Sequence, residues 1–91
     1  MITYKAMFKF VEGGVHAQLL DFPAVISCGD DLADARMMIR SALEDVAEAY
    51  LLDGDPLPIP DPTQTDPDSD LEEPVHLLLK AASRVAVIAI D

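Results

Sequence analysis

The spacing of apolar positions passes from alternation to a helical period and back to alternation. Over residues 2–11, Tyr4, Ala6, Phe8 and Phe10 fall on one face and Thr3, Lys5, Met7 and Lys9 on the other, the period of a half-buried strand. The outer lysines discourage stray edge pairing. Glu12-Gly13-Gly14 tolerates the positive φ of a short hairpin, after which Val15, Ala17 and Leu19 alternate with His16, Gln18 and Leu20 as a second, antiparallel strand. Pro23 lacks a backbone donor and holds Phe22 extended, so Asp21-Phe22-Pro23 predicts a turn into a third strand over residues 25–28.

The helical period begins at once. Leu32, Ala35, Ile39, Ala42, Leu43, Val46 and Tyr50 form one stripe, while Asp34, Ser41, Glu44, Asp45 and Glu48 lie opposite, as in a surface helix that buries one face on a sheet. Asp31 is the expected N-cap, with Asp34 as a short-armed capping-box partner and Asp30 favoured by the positive helix end. Gly54 suits the left-handed residue after a helix. Residues 21–54 thus organise the chain, and a meander of short connections places its apolar face under the helix.

Residues 55–74 hold the remaining prolines, scattered aspartates and little to bury, the composition of a loop or partly disordered connector. Its first part, Leu57-Pro58-Ile59-Pro60, reads as extended, with Leu57 and Ile59 able to dock on the core. Residues 75–82 read as strand or short helix; strand is preferred because a short apolar run beside another strand can form a hairpin with it. Residues 84–90, rich in β-branched side chains, read as strand. The expected fold class is α+β: an antiparallel β-meander covered by one long helix, β-β-β-α-β, with an extra C-terminal strand if residues 75–82 are extended. The expected organisation is a single domain over 1–91, with a 1–54 core, a 55–74 connector and a 75–91 strand region.

The stretch DFPAVISCGDDLADA resembles the signature of HicB-like antitoxins, an Asp-x-Pro-Gly turn, a short strand, and Gly-Asp-Ser/Thr-x-x-Glu-Ala at the helix start. Asp21 and Pro23 match the turn, Ser27 the small hydroxyl residue of the strand, and Gly29, Asp30 and Ala35 the helix start. Asp31 and Asp34 stand where the family has a hydroxyl residue and Glu, and keep the capping chemistry. Ala24 departs from the usual Gly. Gly54, Pro58 and Pro60 resemble the family's tail after the helix. The resemblance runs from the first strand to Pro60. It implies a partial ribonuclease H-like fold and neutralisation of a small basic RNA-cleaving toxin. Nothing after Pro74 reads as the DNA-binding half that many members carry.

Composition narrows the function classes. Seventeen acids against six bases give a net charge of -11, which disfavours phosphate-backbone contact and favours a basic partner or plain solubility. No direct nucleic-acid binding is expected. One cysteine, Cys28, excludes an internal disulfide and fits a reducing cytoplasm. Neither a secretory leader nor a membrane span is read, so a cytoplasmic protein is expected.

Asp21, Asp30 and Asp31 are the acids nearest a ribonuclease H-like arrangement, but each has a turn or cap explanation. No enzyme, catalytic residue, cofactor or metal is expected. His16, His76 and Cys28 lie in separate segments without the local spacing of a zinc site. His16 reads as outward-facing, His76 as a loop-edge or interface residue, and Cys28 as a core or strand-edge residue. Met37 and Leu52 fall toward the acidic helix face, and Asp34, Met37, Ser41, Glu44 and Glu48 form the candidate partner surface. The expectations are a basic toxin-like partner and a homo-oligomer whose contact involves residues 85–91, because the strand edges exceed what one helix covers. Alternatives are a stand-alone ligand-binding or enzymatic domain on the same fold, and an oligomeric structural domain without a toxin.

Overall fold

The computed structural model describes residues 1–80 and 84–88. Its elements are β1 (Ile2–Val11), β2 (Gly14–Leu19), β3 (Ile26–Gly29), α1 (Leu32–Leu52), β4 (Leu71–Lys80) and β5 (Arg84–Ile88). The five strands form one antiparallel sheet in the order β3-β2-β1-β4-β5, and α1 packs on one face, giving the expected α+β fold. Residues 81–83 and 89–91 lie outside the described set, including part of the segment expected at a subunit contact. Among the described residues no helix is long and apolar enough to cross a membrane.

Local chemistry sets the turns. Val11 opposes Gly14 across a Glu12-Gly13 loop in which Gly13 takes φ +84°, a conformation only glycine adopts freely. Val25 N–H closes a turn onto Phe22 O at 2.8 Å with Pro23 in its second position, so Val25 belongs to the turn and β3 starts one residue later than the sequence predicts. The helix stops where Gly54 takes φ +76°, with Gly54 N–H donating to Leu51 O and Asp55 N–H to Tyr50 O, the Schellman arrangement.

The core joins Tyr4, Ala6, Phe8, Ala17 and Leu19 of the sheet to Ala35, Ile39, Leu43 and Ala47 of the helix, with Phe22 and Val25 inserted from the turn. The centre of the helix stripe is therefore the row from Ala35 to Ala47. Ala47 was absent from the predicted stripe, and Ala42, Val46 and Tyr50 are its half-buried flanks. Two strand assignments are corrected. Phe10, beside the hairpin, is 55% exposed, whereas Met7 on the outer face is only 6% exposed.

Met7 is buried because the connector is an ordered strap. It leaves the helix, packs Leu57 against the core and passes to the outer face of the sheet; Ile59, expected to dock, is exposed instead. Lys5 Nζ donates to Pro62 O and Gln64 O at 3.0 and 2.8 Å, and Lys9 Nζ donates to Asp68 O at 2.9 Å. These bonds hold the strap on either side of Met7. Neither lysine guards an edge, since β1 is the central strand. Glu72 takes Asp66 N–H at 2.9 Å and the Ser69 hydroxyl at 3.0 Å, with Lys5 3.7 Å away. Prolines and aspartates without apolar content predicted a loose connector, but the lysines and Glu72 meet its backbone polar groups.

β4 confirms the strand reading of residues 75–80 and starts earlier than that run. Asp70 N–H donates to Phe8 O, and the Asp70 carboxylate accepts Phe10 N–H at 2.7 Å, continuing the ladder upstream. Pro74 is accommodated because Lys5 directs its backbone to Leu20 (2.9 Å). The opposed Pro74 nitrogen then faces away from β1, and among the described residues pairing between β4 and β5 begins at His76.

The hydrogen bond from Asp66 N–H, the largest cause, then that from Ser69 and the charge of Lys5, hold the Glu72 carboxyl below its ordinary range, and Thr63 does the same for Asp61. A depressed folded value means the stabilisation is complete above the ordinary carboxylate pKa and is lost as pH falls through the depressed one. Amide exchange at Asp66, relative to its intrinsic rate, should therefore accelerate on acidification below the ordinary carboxylate range. In Glu72→Gln it should be fast already at neutral pH. An Asp66 amide equally protected in both proteins would show that Glu72 does not pin the strap.

Candidate functional site

The residues of the stretch from Asp21 to Ala35 meet their neighbours at two places. At the first, β3 runs directly into α1, and a Cβ on Gly29 would lie 2.4 Å from the Ala35 nitrogen. The glycine and the alanine are thus a close-packing pair that lets the helix start cross the strand end. Ser27 sits half-buried on the same face of β3. Asp31 caps the helix, accepting Asp34 N–H at 2.8 Å. Asp34 accepts in return from Asp30 N–H at 2.9 Å, one residue before the cap, so the reciprocal bond misses the Asp31 N–H that a capping box would use.

The second place is the opposite end of β2. Asp21 Oδ2 accepts Asp61 N–H at 2.7 Å, and the Tyr4 hydroxyl donates to Pro58 O at 2.6 Å. Asp21 and Pro60 line one hollow with Thr3 and Pro74. The turn residue and the proline tail therefore fasten the strap where it leaves the helix face. Phe22, the neighbour of Pro23, lies between Tyr4 and Tyr50 in tilted and edge-to-face contact, with ring centroids 5.5 and 5.0 Å away. Burial, then the nearby Asp21 carboxylate, push the Tyr4 phenol above its ordinary value, so it remains the donor to Pro58.

This arrangement separates acids that the sequence placed near one strand end. Val15 opposes Gly29, so Asp30 and Asp31 follow the strand end beside Val15. Asp21 lies six residues further along the chain, roughly 20 Å at an extended rise. Among the described residues no group of three or more His, Cys, Asp or Glu is placed to hold a metal ion. His16 and Cys28 are cross-strand neighbours, although the sequence reading kept them apart. Cys28 is exposed on an edge strand, the second of its two expected settings. His76 lies on β4 with Nδ1 2.9 Å from the Thr3 hydroxyl.

The candidate partner row is intact on the outer side of α1. Met37 is 61% exposed and Ser41 is exposed, with Glu44 and Glu48 half-buried along the same row. Leu52, 77% exposed, continues it. One oxygen of Asp34 is engaged by Asp30. Arg36, beside the row, is committed elsewhere: its Nε lies 2.7 and 3.0 Å from the two Glu73 oxygens on β4, and that hydrogen bond raises its pKa further.

Neither a scan against protein-family models nor a search of curated proteins returns a match to this chain.

Sequence reasoning missed Met38, 44% exposed beside Met37. Met38 lines a shallow hollow with Glu12, Cys28, Gly29, Asp30 and Asp34. The available signal was its place at the margin of the stripe, one residue before Ile39 and one turn before Ala42. Met38 is displaced from that side because the buried row occupies the next position, Ile39. The hollow itself depends on the hairpin being brought beside the helix start, which no local pattern encodes.

Replacing Gly29 by alanine tests the close passage. The clash is with backbone, so Gly29→Ala should destabilise the fold by about 3 kcal/mol, read as a lower urea midpoint with an unchanged m-value. Gly54→Ala, where nothing lies within 4 Å of the added Cβ, should cost about 1 kcal/mol through its positive φ alone. Equal losses would remove the distinction between packing and conformational glycines.

Proposed function

We propose that this chain is a protein-binding module of the HicB-like antitoxin type, which neutralises a small basic RNA-cleaving toxin in the cytoplasm by covering it. The observation that carries the reading is the row of Met37, Ser41, Glu44 and Glu48, with Asp34 at its start and Met38 beside it. It presents flexible, exposed methionines among carboxylates on a chain of net charge -11. Methionine adapts to an irregular partner surface, while the field of the carboxylates speeds encounter with a basic protein. The placement of Asp21, Pro23, Gly29, Ala35, Gly54, Pro58 and Pro60 at turns, caps and strap anchors supports the resemblance read in the sequence, with the acids serving structure.

Self-association belongs to the same proposal. β5 is an edge strand beside β4, and an edge of β-branched residues is either paired or blunted. A homodimer joined there leaves the acidic helix row of each copy open to a partner.

Co-expression with any short basic open reading frame found beside this gene tests the main reading. The chain should restore growth of a host poisoned by that product. Glu44→Lys/Glu48→Lys should weaken the complex by about tenfold or more without lowering the melting temperature. Failure of the unaltered chain to rescue growth, or the absence of a basic neighbour, would overturn the reading.

A second expectation concerns chemistry: the purified chain should not cleave RNA or DNA with added magnesium or manganese. Divalent-dependent cleavage lost in Asp30→Asn would replace the binding module with an enzyme.

A further inference from the structure

β3 borders β2 on one side and, among the described residues, no strand on the other. Its register decides which backbone groups point outward. Leu20 N–H donates to Lys5 O, so Lys5–Leu20 is a hydrogen-bonded pair, and Met7–Gln18 and Lys9–His16 follow in the same phase. Gln18 and His16 thus direct their backbone groups to β1. Their partners on β3, Ile26 and Cys28, therefore turn N–H and C=O away from β2. The bond from Leu19 N–H to Val25 O at 3.1 Å fits this phase. Among the described residues neither Ile26 nor Cys28 makes a backbone bond on its outward side.

The two sides of this edge differ chemically. On the outer face stand Ile26, 52% exposed, and the exposed Cys28. At the end of β3 the strand adjoins the hollow lined by Asp30, Asp34, Glu12 and Met38, which also reaches Cys28. A strand laid along the edge sends alternate side chains to each side.

We propose that the free edge of β3 takes an extended segment of the basic partner as an added strand, one in which apolar residues alternate with Lys or Arg. The inference rests on the reading of this chain as a binder of a basic protein, and names the edge that a segment of that partner occupies. Backbone bonds to Ile26 and Cys28 supply register. Apolar side chains cover Ile26 and Cys28, and cations meet Asp30, Asp34 and Glu12. A second copy fits poorly: edge-to-edge pairing would bring the same carboxylates together between two chains of net charge -11. The edge is only four residues long, so it holds a short segment, and the rest of the partner extends over Met37 and Met38.

A synthetic heptapeptide of alternating valine and lysine tests this on the full chain by amide NMR and hydrogen exchange. Two control peptides carry a central proline or glutamates in place of the lysines. The lysine peptide alone should slow exchange of the Ile26 and Cys28 amides by about tenfold or more, with shifts confined to β3, the Glu12 hairpin and the first turn of α1. Ile26→Pro removes an outward donor without touching the β2 ladder, and should abolish the protection at Cys28 while the remaining spectrum stays folded. Shifts at Met37, Glu44 and Glu48 without protection at β3 would overturn the strand addition and leave the basic-partner reading standing. Concentration-dependent protection of both amides in the free chain would assign the edge to a second copy and overturn it too. Absence of any shift would also overturn it, and growth rescue would then decide the wider reading independently.

Discussion

The close seating of α1 on the sheet is the constraint on which the other features depend. Alanines at Ala35 and Ala47 on the helix, and at Ala6 and Ala17 on the sheet, are fully buried between larger residues such as Ile39, Leu43, Phe8 and Leu19. Gly29 carries the close approach to the strand end, where the helix backbone leaves no room for a side chain. Small residues at the crossing let larger neighbours interdigitate at interior density. The orientation this fixes turns the Met37–Glu48 row outward and brings the helix start beside the β1–β2 hairpin.

The strap completes the molecule on the other face. A sheet with one helix leaves its second face to water, and here the residues able to interact with a polar segment are already on it. Lys5 and Lys9 reach carbonyls, Glu72 takes an N–H and a hydroxyl, and Met7 is covered between them. The acidic connector thus satisfies the two basic side chains of β1 within the chain. Outward-facing acids lie along α1 and its start and also on the hairpin and connector, at Glu12, Asp53, Asp55 and Asp68. The net charge of -11 left after these anchors disfavours contact with a phosphate backbone.

Two acidic side chains illustrate how position decides role. Asp21 and Asp30 belong to one short stretch of sequence, yet the antiparallel register puts them at opposite ends of β2, one fastening the strap through Asp61 and the other donating its N–H to the helix-start Asp34. A converging carboxylate site needs those acids at one strand end. Asp21 has a structural duty through its carboxylate, whereas Asp30 is held through its backbone N–H.

The sequence by itself determined the elements whose signals are local. Alternation marked β1 and β2, the Asp31 cap and Gly54 stop bounded α1, and the proposed exposure of Met37 and Leu52 followed from the helical period. Tertiary structure decided what depends on contacts between distant residues: the burial of Met7, the exposure of Phe10 and Ile59, the reach of Lys5 to Pro62 and Gln64, and the Arg36–Glu73 pair joining helix to β4. It also decided that His16 opposes Cys28 and that Met38 shares a hollow with Glu12. The physical reason is that period and capping are set by neighbours along the chain, whereas covering a face or satisfying a polar group is set by whichever segment the fold carries there.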